Sequence, residues 1–148
     1  MLKVLIVEDE LMIADLLELM LVDSGYEVCG IARTVDEGVA LGNLHHPDLA
    51  VLDVRLALGG RGPEIARQLN SKGNFGVLYA TGDDIRNSTL TAADGEASIS
   101  KPYRSADVVR ALEVVREMMM SGTATPPFPT NFRLLPVVAT KMQQAFST

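Results

Sequence analysis

Tryptophan is absent from this 148-residue chain, and cysteine occurs once, at Cys29. A single thiol excludes an internal disulfide framework and a cysteine-rich zinc site, and it fits a reducing compartment. Long apolar runs are also missing. Val4 to Val7 and Met118 to Met120 fall far short of a bilayer's thickness, so no membrane partner is expected. The opening Met1-Leu2-Lys3-Val4 runs straight into acids and lacks the apolar stretch of a secretory signal, which predicts a cytoplasmic protein. Positive charge is scarce: 13 Lys and Arg against 19 Asp and Glu leave a net −6. That balance argues against nucleic acid as the main partner.

What is present is an ordinary globular balance, 47% hydrophobic and 22% charged, enough for one domain with a short appendage. The charge is uneven. Residues 121–148 hold Arg133 and Lys141 and no acid; taking that +2 from the total of −6 leaves −8 for residues 1–120. The expected organisation is therefore a domain over 1–120 and a proline-containing linker and tail over 121–148.

Short apolar runs alternate with longer amphipathic stretches. Lys3 to Val7 is β-branched and continuous, as in a strand buried on both faces. Met12, Ile13, Leu16, Leu17 and Met20 recur at helical steps and predict a helix over Leu11–Asp23, ended by Ser24-Gly25. Glu27–Ala32 reads as a second strand. Thr34-Val35-Asp36-Glu37 has capping-box spacing and opens a helix that ends before Pro47. Asp48–Asp53 is a third strand, followed by a glycine-rich loop and a helix led by Pro63. Gly76–Thr81 and Ala97–Ile99 are further strands. Between them Asp84–Ala93 reads as a weak, polar fourth helix; Asp107–Met120 is a strong fifth one. Such alternation implies right-handed βαβ units and a parallel sheet covered on both faces, with ligands outside the carboxyl ends of the strands.

Those ends carry Glu8 and Asp9, then Asp53, then Thr81, then Lys101-Pro102. Three carboxylates on one rim raise one another's pKa, and a divalent cation relieves that. Hard oxygen donors with room for water suit Mg²⁺. A carboxylate beside such a cation is a plausible phosphoryl acceptor, and Asp53, ending the central strand, is the best placed. Glu8 and Asp9 would hold the metal; Lys101 and the Thr81 hydroxyl would grip phosphoryl oxygens. Each group alone has a bland reading, the acids as a helix start favoured by its dipole and Thr81-Gly82 as a turn. Four strand ends carrying these groups in this order are a poor match to chance.

The set Glu8-Asp9, Asp53, Thr81 and Lys101-Pro102 resembles the receiver domain of bacterial two-component response regulators, over roughly residues 2–120. The resemblance implies a flavodoxin-like, doubly wound, five-stranded parallel sheet of order 2-1-3-4-5. It implies phosphorylation of Asp53 by a sensor histidine kinase, with Mg²⁺ held by Asp9, Asp53 and the backbone carbonyl of Arg55, and with Glu8 acting partly through water. It also implies a cis bond at Pro102 and a target-binding surface formed by the fourth helix, fifth strand and fifth helix. The chain departs from the family at Ser98, where a rotating Tyr or Phe is usual three residues before the lysine. Tyr103 is the candidate substitute aromatic, with simple packing as the alternative. Tyr79-Ala80-Thr81-Gly82 resembles the Phe-Ala-Thr-Gly run of a subgroup of single-domain regulators. The loop Ala57–Gly62 lacks the common proline-containing turn.

Other features carry less. Gly59-Gly60-Arg61-Gly62 lacks the Gly-Lys-Ser/Thr of a phosphate-binding loop. His45-His46 reads as a solvent-facing helix end, and Cys29 as a small buried residue. Pro126, Pro127 and Pro129 make 123–130 an extended linker. Leu135, Val138, Met142, Ala145 and Phe146 beyond it fit a short amphipathic helix or an adhering strand. The expectation is a phosphorylatable single-domain regulator that is not an enzyme beyond its own phosphoryl transfer and dephosphorylation. Its expected partners are a sensor kinase and a downstream protein, and a second copy is a candidate through the fourth helix–fifth strand–fifth helix face or the tail. A phosphate-independent adaptor is the rival. A flavodoxin is disfavoured by Glu8-Asp9-Glu10 in the phosphate loop, and a dehalogenase-type phosphatase by Arg55 two residues after Asp53.

Overall fold

The computed structural model describes residues 1–70, 75–82 and 89–137. Five strands run parallel: β1 (Lys3–Val7), β2 (Glu27–Ala32), β3 (Leu49–Asp53), β4 (Gly76–Thr81) and β5 (Ala97–Ser100). Their order is β2-β1-β3-β4-β5, as the sequence predicts. The sheet does not stop there. A sixth strand, β6 (Phe132–Leu134), adds antiparallel to β5 and makes the sheet six-stranded, not five.

Among the described residues, four α-helices cover the sheet. α1 (Leu11–Asp23) and α4 (Ser105–Ser121) share one face with Val4, Ile6, Val51, Leu78 and Ile99. α2 (Val35–His45) and α3 (Gly62–Asn70) share the other with Leu5, Val7, Leu52 and Tyr79. The central strands are buried on both sides, and each fully buried Leu, Ile or Val contributes about 1.5–3 kcal/mol. The capping box at α2 forms: Thr34 Oγ1 accepts from the Glu37 N–H at 3.2 Å, and Glu37 Oε2 accepts from the Arg33 N–H at 2.9 Å. α4 is the expected fifth helix, two residues longer at its start, with Val108, Val109, Leu112 and Val115 inward.

One expectation is refined and two need correction. In α1 the inward residues are Ala14, Leu17 and Leu21, while Met12 is 87% exposed and Leu16 51%. The helix is apolar nearly all round, so periodicity could not choose its face. The weak helix expected over Asp84–Ala93 falls largely on residues outside those described; Thr89–Asp94 is loop and turn, with Thr91 N–H donating to Asp94 Oδ2 at 2.9 Å. Cys29 is half-buried rather than buried, its thiol facing the Val4 carbonyl at 3.5 Å.

The linker after α4 also has a definite path. Arg110 Nη2 and Nε donate to the carbonyls of Thr125 (2.7 Å) and Pro127 (3.1 Å), and Glu117 Oε2 accepts from the Thr125 N–H at 2.8 Å. The chain then turns at Asn131 into β6. Of the tail's expected helix or strand, Leu135 is buried just past β6, and Val138, Met142, Ala145 and Phe146 lie outside the described residues.

Candidate functional site: an acidic pocket at the carboxyl rim

Because β1, β3, β4 and β5 are parallel and in register, the residues that follow them meet on one rim. The Glu8 N–H extends the ladder to the Ala32 carbonyl at 2.9 Å, which fixes the first acid at the end of β1. Asp53 ends β3 and Thr81 ends β4, both buried. The Lys101 N–H donates to the Thr81 carbonyl at 2.7 Å, pinning the lysine to the β4 end. The Lys101–Pro102 bond is cis.

Two acids in this pocket are nearly inaccessible: Glu8 is 2% exposed and Asp53 7%. Buried carboxylates need partners, and each has them. Lys101 Nζ lies 3.0 Å from Glu8 Oε1 and 3.1 Å from Asp53 Oδ2. The Glu10 N–H donates to Glu8 Oε2 at 3.1 Å, and the Arg55 N–H to Asp53 Oδ1 at 3.3 Å. Burial by itself would lower the Lys101 pKa. The hydrogen bonds and charges of Glu8 and Asp53 outweigh it and hold the ammonium above its ordinary value.

Glu8, Asp9 and Asp53 each offer a carboxylate oxygen, all within 4.8 Å of one another. Three carboxylates less one ammonium leave a local charge of −2. Hard oxygen donors with that residual charge fit a divalent cation such as Mg²⁺.

The loop after Asp53 is tightly closed. Leu56 N–H donates to the Gly60 carbonyl at 2.8 Å, Gly62 N–H to the Val54 carbonyl at 2.9 Å, and Arg55 bridges Arg61. A Cβ on Gly62 would sit 2.3 Å from the Asp53 carbonyl oxygen, so only glycine fits. Leu58, at φ 63°, projects from the tip and is 94% exposed.

Sequence reasoning looked for the missing aromatic at Tyr103. The structure places Tyr103 among the α1/α4-side core residues, half-buried, with its phenol oxygen covered and without a hydrogen-bond partner. Burial pushes that phenol up to about 12, and the negative charge of Glu8 adds to the rise. Ser98 alternates with Ala97 and Ile99 and so faces the opposite side. The ring beside Ser98 is Tyr79, its directly paired neighbour on β4. Tyr79 is fully buried, with its hydroxyl donating to the Asp94 carbonyl at 2.7 Å. His45 and His46 end α2 at the opposite, amino-end rim and take no part in the pocket; His46 caps the helix at φ 50°.

A doubly wound sheet with acids, a hydroxyl-bearing residue and a lysine in this order at its rim is the receiver architecture. The chain matches the response regulator receiver domain family over residues 4–113 and belongs to it, placing it among two-component signalling proteins. It is 34% identical over 124 residues to the transcriptional regulatory protein PdtaR of Mycobacterium tuberculosis, covering 82% of this chain and 60% of that protein. It is 32% identical over 107 residues to the phyllosphere-induced regulator PhyR of Methylorubrum extorquens, covering 72% and 40%. The chain thus spans three fifths or less of these relatives. Among solved structures, a CheY-like receiver domain protein from Methanospirillum hungatei superposes with a TM-score of 0.69 at 28% identity, covering 79% of this chain and 95% of that one. Receiver domains are signalling modules. Among the described residues, no helix is long and apolar enough to cross a membrane.

Proposed function

We propose that this chain is a phosphorylatable response regulator whose Asp53 accepts a phosphoryl group from a sensor histidine kinase in a Mg²⁺-dependent reaction. The observation that carries this reading is the Glu8–Lys101–Asp53 bridge beside Asp9, a buried constellation with a residual charge of −2. Asp9, Asp53 and the Arg55 carbonyl would hold Mg²⁺, with Glu8 behind them. The cation supplies neutralisation of phosphoryl oxygen charge.

The chain's own groups do the rest. The Arg55 N–H and the Lys101 ammonium fix the two oxygens of Asp53, so the nucleophile is oriented before the donor arrives. One carboxylate oxygen attacks phosphorus, the donor's N–P bond breaks, and its electron pair returns to the donor imidazole, which takes a proton from water. Lys101 then exchanges its contact with Asp53 for a phosphoryl oxygen, and the Thr81 hydroxyl binds another. The new negative charge shifts a pre-existing equilibrium and alters partner binding.

The donor protein has a landing surface. α1 begins two residues after Asp9, and Leu11, Met12, Leu16 and Leu19 are all at least half exposed along it. Leu58 adds an apolar point on the other flank of Asp53. Neither the kinase nor the target belongs to a chemistry beyond protein–protein contact.

The test is intact mass after incubation with a small phosphodonor. Addition of one phosphoryl group that needs Mg²⁺ and is lost in Asp53→Asn is expected. Addition that persists in Asp53→Asn would overturn the assignment. Partner affinity identical in wild type and Asp53→Ala, with or without phosphodonor, would favour the phosphate-independent adaptor.

A further inference from the structure

In a five-stranded sheet β5 would be an edge. Here its outer side is fully paired: Ala97, Ser98 and Ile99 face Leu134, Arg133 and Phe132. The ladder continues at both ends, with Ser100 N–H donating to the Asn131 carbonyl at 3.1 Å and Leu135 N–H to the Glu96 carbonyl at 3.0 Å. An unpaired edge invites another strand, and this chain fills it with its own.

The filler is lightly held. β6 has three residues, all half-buried. Its anchors are Phe132 and Leu134 on the α1/α4-side core, Leu135 on the other core, and a tilted Phe128–Phe132 ring pair at 5.5 Å. Two side chains of α4 address the main chain leading into it. Arg110 binds the carbonyls of Thr125 and Pro127, and Glu117 binds the Thr125 N–H. A β edge flanked by an arginine and a glutamate that bind peptide groups is a site for extended backbone, with side-chain choice where Phe132, Leu134 and Leu135 pack on the cores.

We propose that the β5 edge, with Arg110 and Glu117, is a docking surface for an extended peptide segment of a partner protein. That segment carries an apolar-x-apolar-apolar run, and residues 123–135 of this chain occupy the surface in cis as its competitor. The ladder ends at Ser100, one residue before Lys101, so the surface abuts the acidic pocket. The inference stands whether or not Asp53 accepts a phosphoryl group. It narrows the expected face of fourth helix, fifth strand and fifth helix to the strand edge and the fifth helix, and adds that the chain itself covers that edge.

The probe is a fluorescent synthetic peptide with the sequence of residues 126–137, titrated into the full chain. The bonds at Asn131 and Leu135 put Arg133 at a hydrogen-bonded ladder position, so Arg133→Pro removes an N–H and loosens the cis strand. Phe132→Ala loosens it by another route while the peptide keeps its ring. An Ala97→Cys/Leu134→Cys disulfide would lock the strand in place. Peptide affinity about tenfold or more higher for Arg133→Pro and Phe132→Ala than for wild type, and lost in the oxidised double variant but restored on reduction, is expected. Equal affinity across all forms, or no binding to either loosened variant, would overturn the proposal. Dimerisation of the loosened variants without peptide, seen by light scattering, would overturn the partner assignment by seating a second copy on the edge.

Discussion

The acidic pocket and the strap over β5 sit a residue apart and are built on opposite principles. In the pocket, Glu8 and Asp53 are buried, and each is held by the Lys101 ammonium and a backbone N–H, while Asp9 and Lys101 are part-exposed. In the strap, the strand is half-exposed and its companion contacts are surface hydrogen bonds from Arg110 and Glu117. Buried charge networks tolerate little change because an orphaned partner has no water to turn to. A surface strap exchanges its hydrogen bonds for water at small cost. The first region is suited to fixed chemistry, the second to exchange.

That contrast breaks most readily at Gly62. Any Cβ there meets backbone, not a yielding side chain, so Gly62→Ala should cost about 3 kcal/mol in chemical denaturation and displace Asp53. An unchanged midpoint would mean the loop is looser than the pocket requires. Lys101→Met comes next. It leaves Glu8 and Asp53 facing each other without a cation, an expected loss of about 2 kcal/mol. Mg²⁺ should restore part of it, raising Tm more in the variant than in wild type. Equal Mg²⁺ shifts in both would argue that the three acids do not act together.

The strap's prediction is smaller. Arg110→Ala should cost only about 0.5–1 kcal/mol, since its partners are solvent-accessible, while speeding amide exchange at Thr125 and Leu135. Exchange at Ser100 should rise and exchange at Glu8 should not. Equal acceleration at both would erase the distinction between the regions.

Much of the pocket was legible in the sequence. Acids, a threonine and a lysine placed after apolar β-branched runs imply their own convergence once the sheet is parallel. The strap was not. Phe132-Arg133-Leu134 lies between turn residues, Asn131 and Pro136, but has no length, and its pairing with β5 is a long-range choice that local periodicity does not record. α1 forms over the expected Leu11–Asp23, but Leu, Met, Ile and Val on every side give no stripe, so periodicity does not separate Met12 and Leu16, which face solvent, from the buried Leu17. That Tyr79 lies beside Ser98 was not legible either, because it depends on which two residues of neighbouring strands pair.

The smallest effect concerns the three tyrosines. Tyr26 and Tyr79 are raised by burial above their ordinary 10.0, and Tyr103 to about 12. A group raised in the folded state stabilises fully below its unfolded pKa and loses that contribution as pH climbs toward the folded one. Stability should therefore fall above about pH 10, and phenolate absorbance should appear only with unfolding. Phenolate formation near pH 10 in the folded protein would contradict the burial of these rings.

The central claim is that Asp53 is the group the pocket prepares. Reductive trapping with borohydride, after treatment with a small phosphodonor and Mg²⁺, converts an aspartyl phosphate to homoserine, and peptide mass spectrometry locates it. Homoserine at position 53, dependent on Mg²⁺, is the predicted result. No conversion there, with phosphate instead on His45 or His46 or nowhere, would contradict the account.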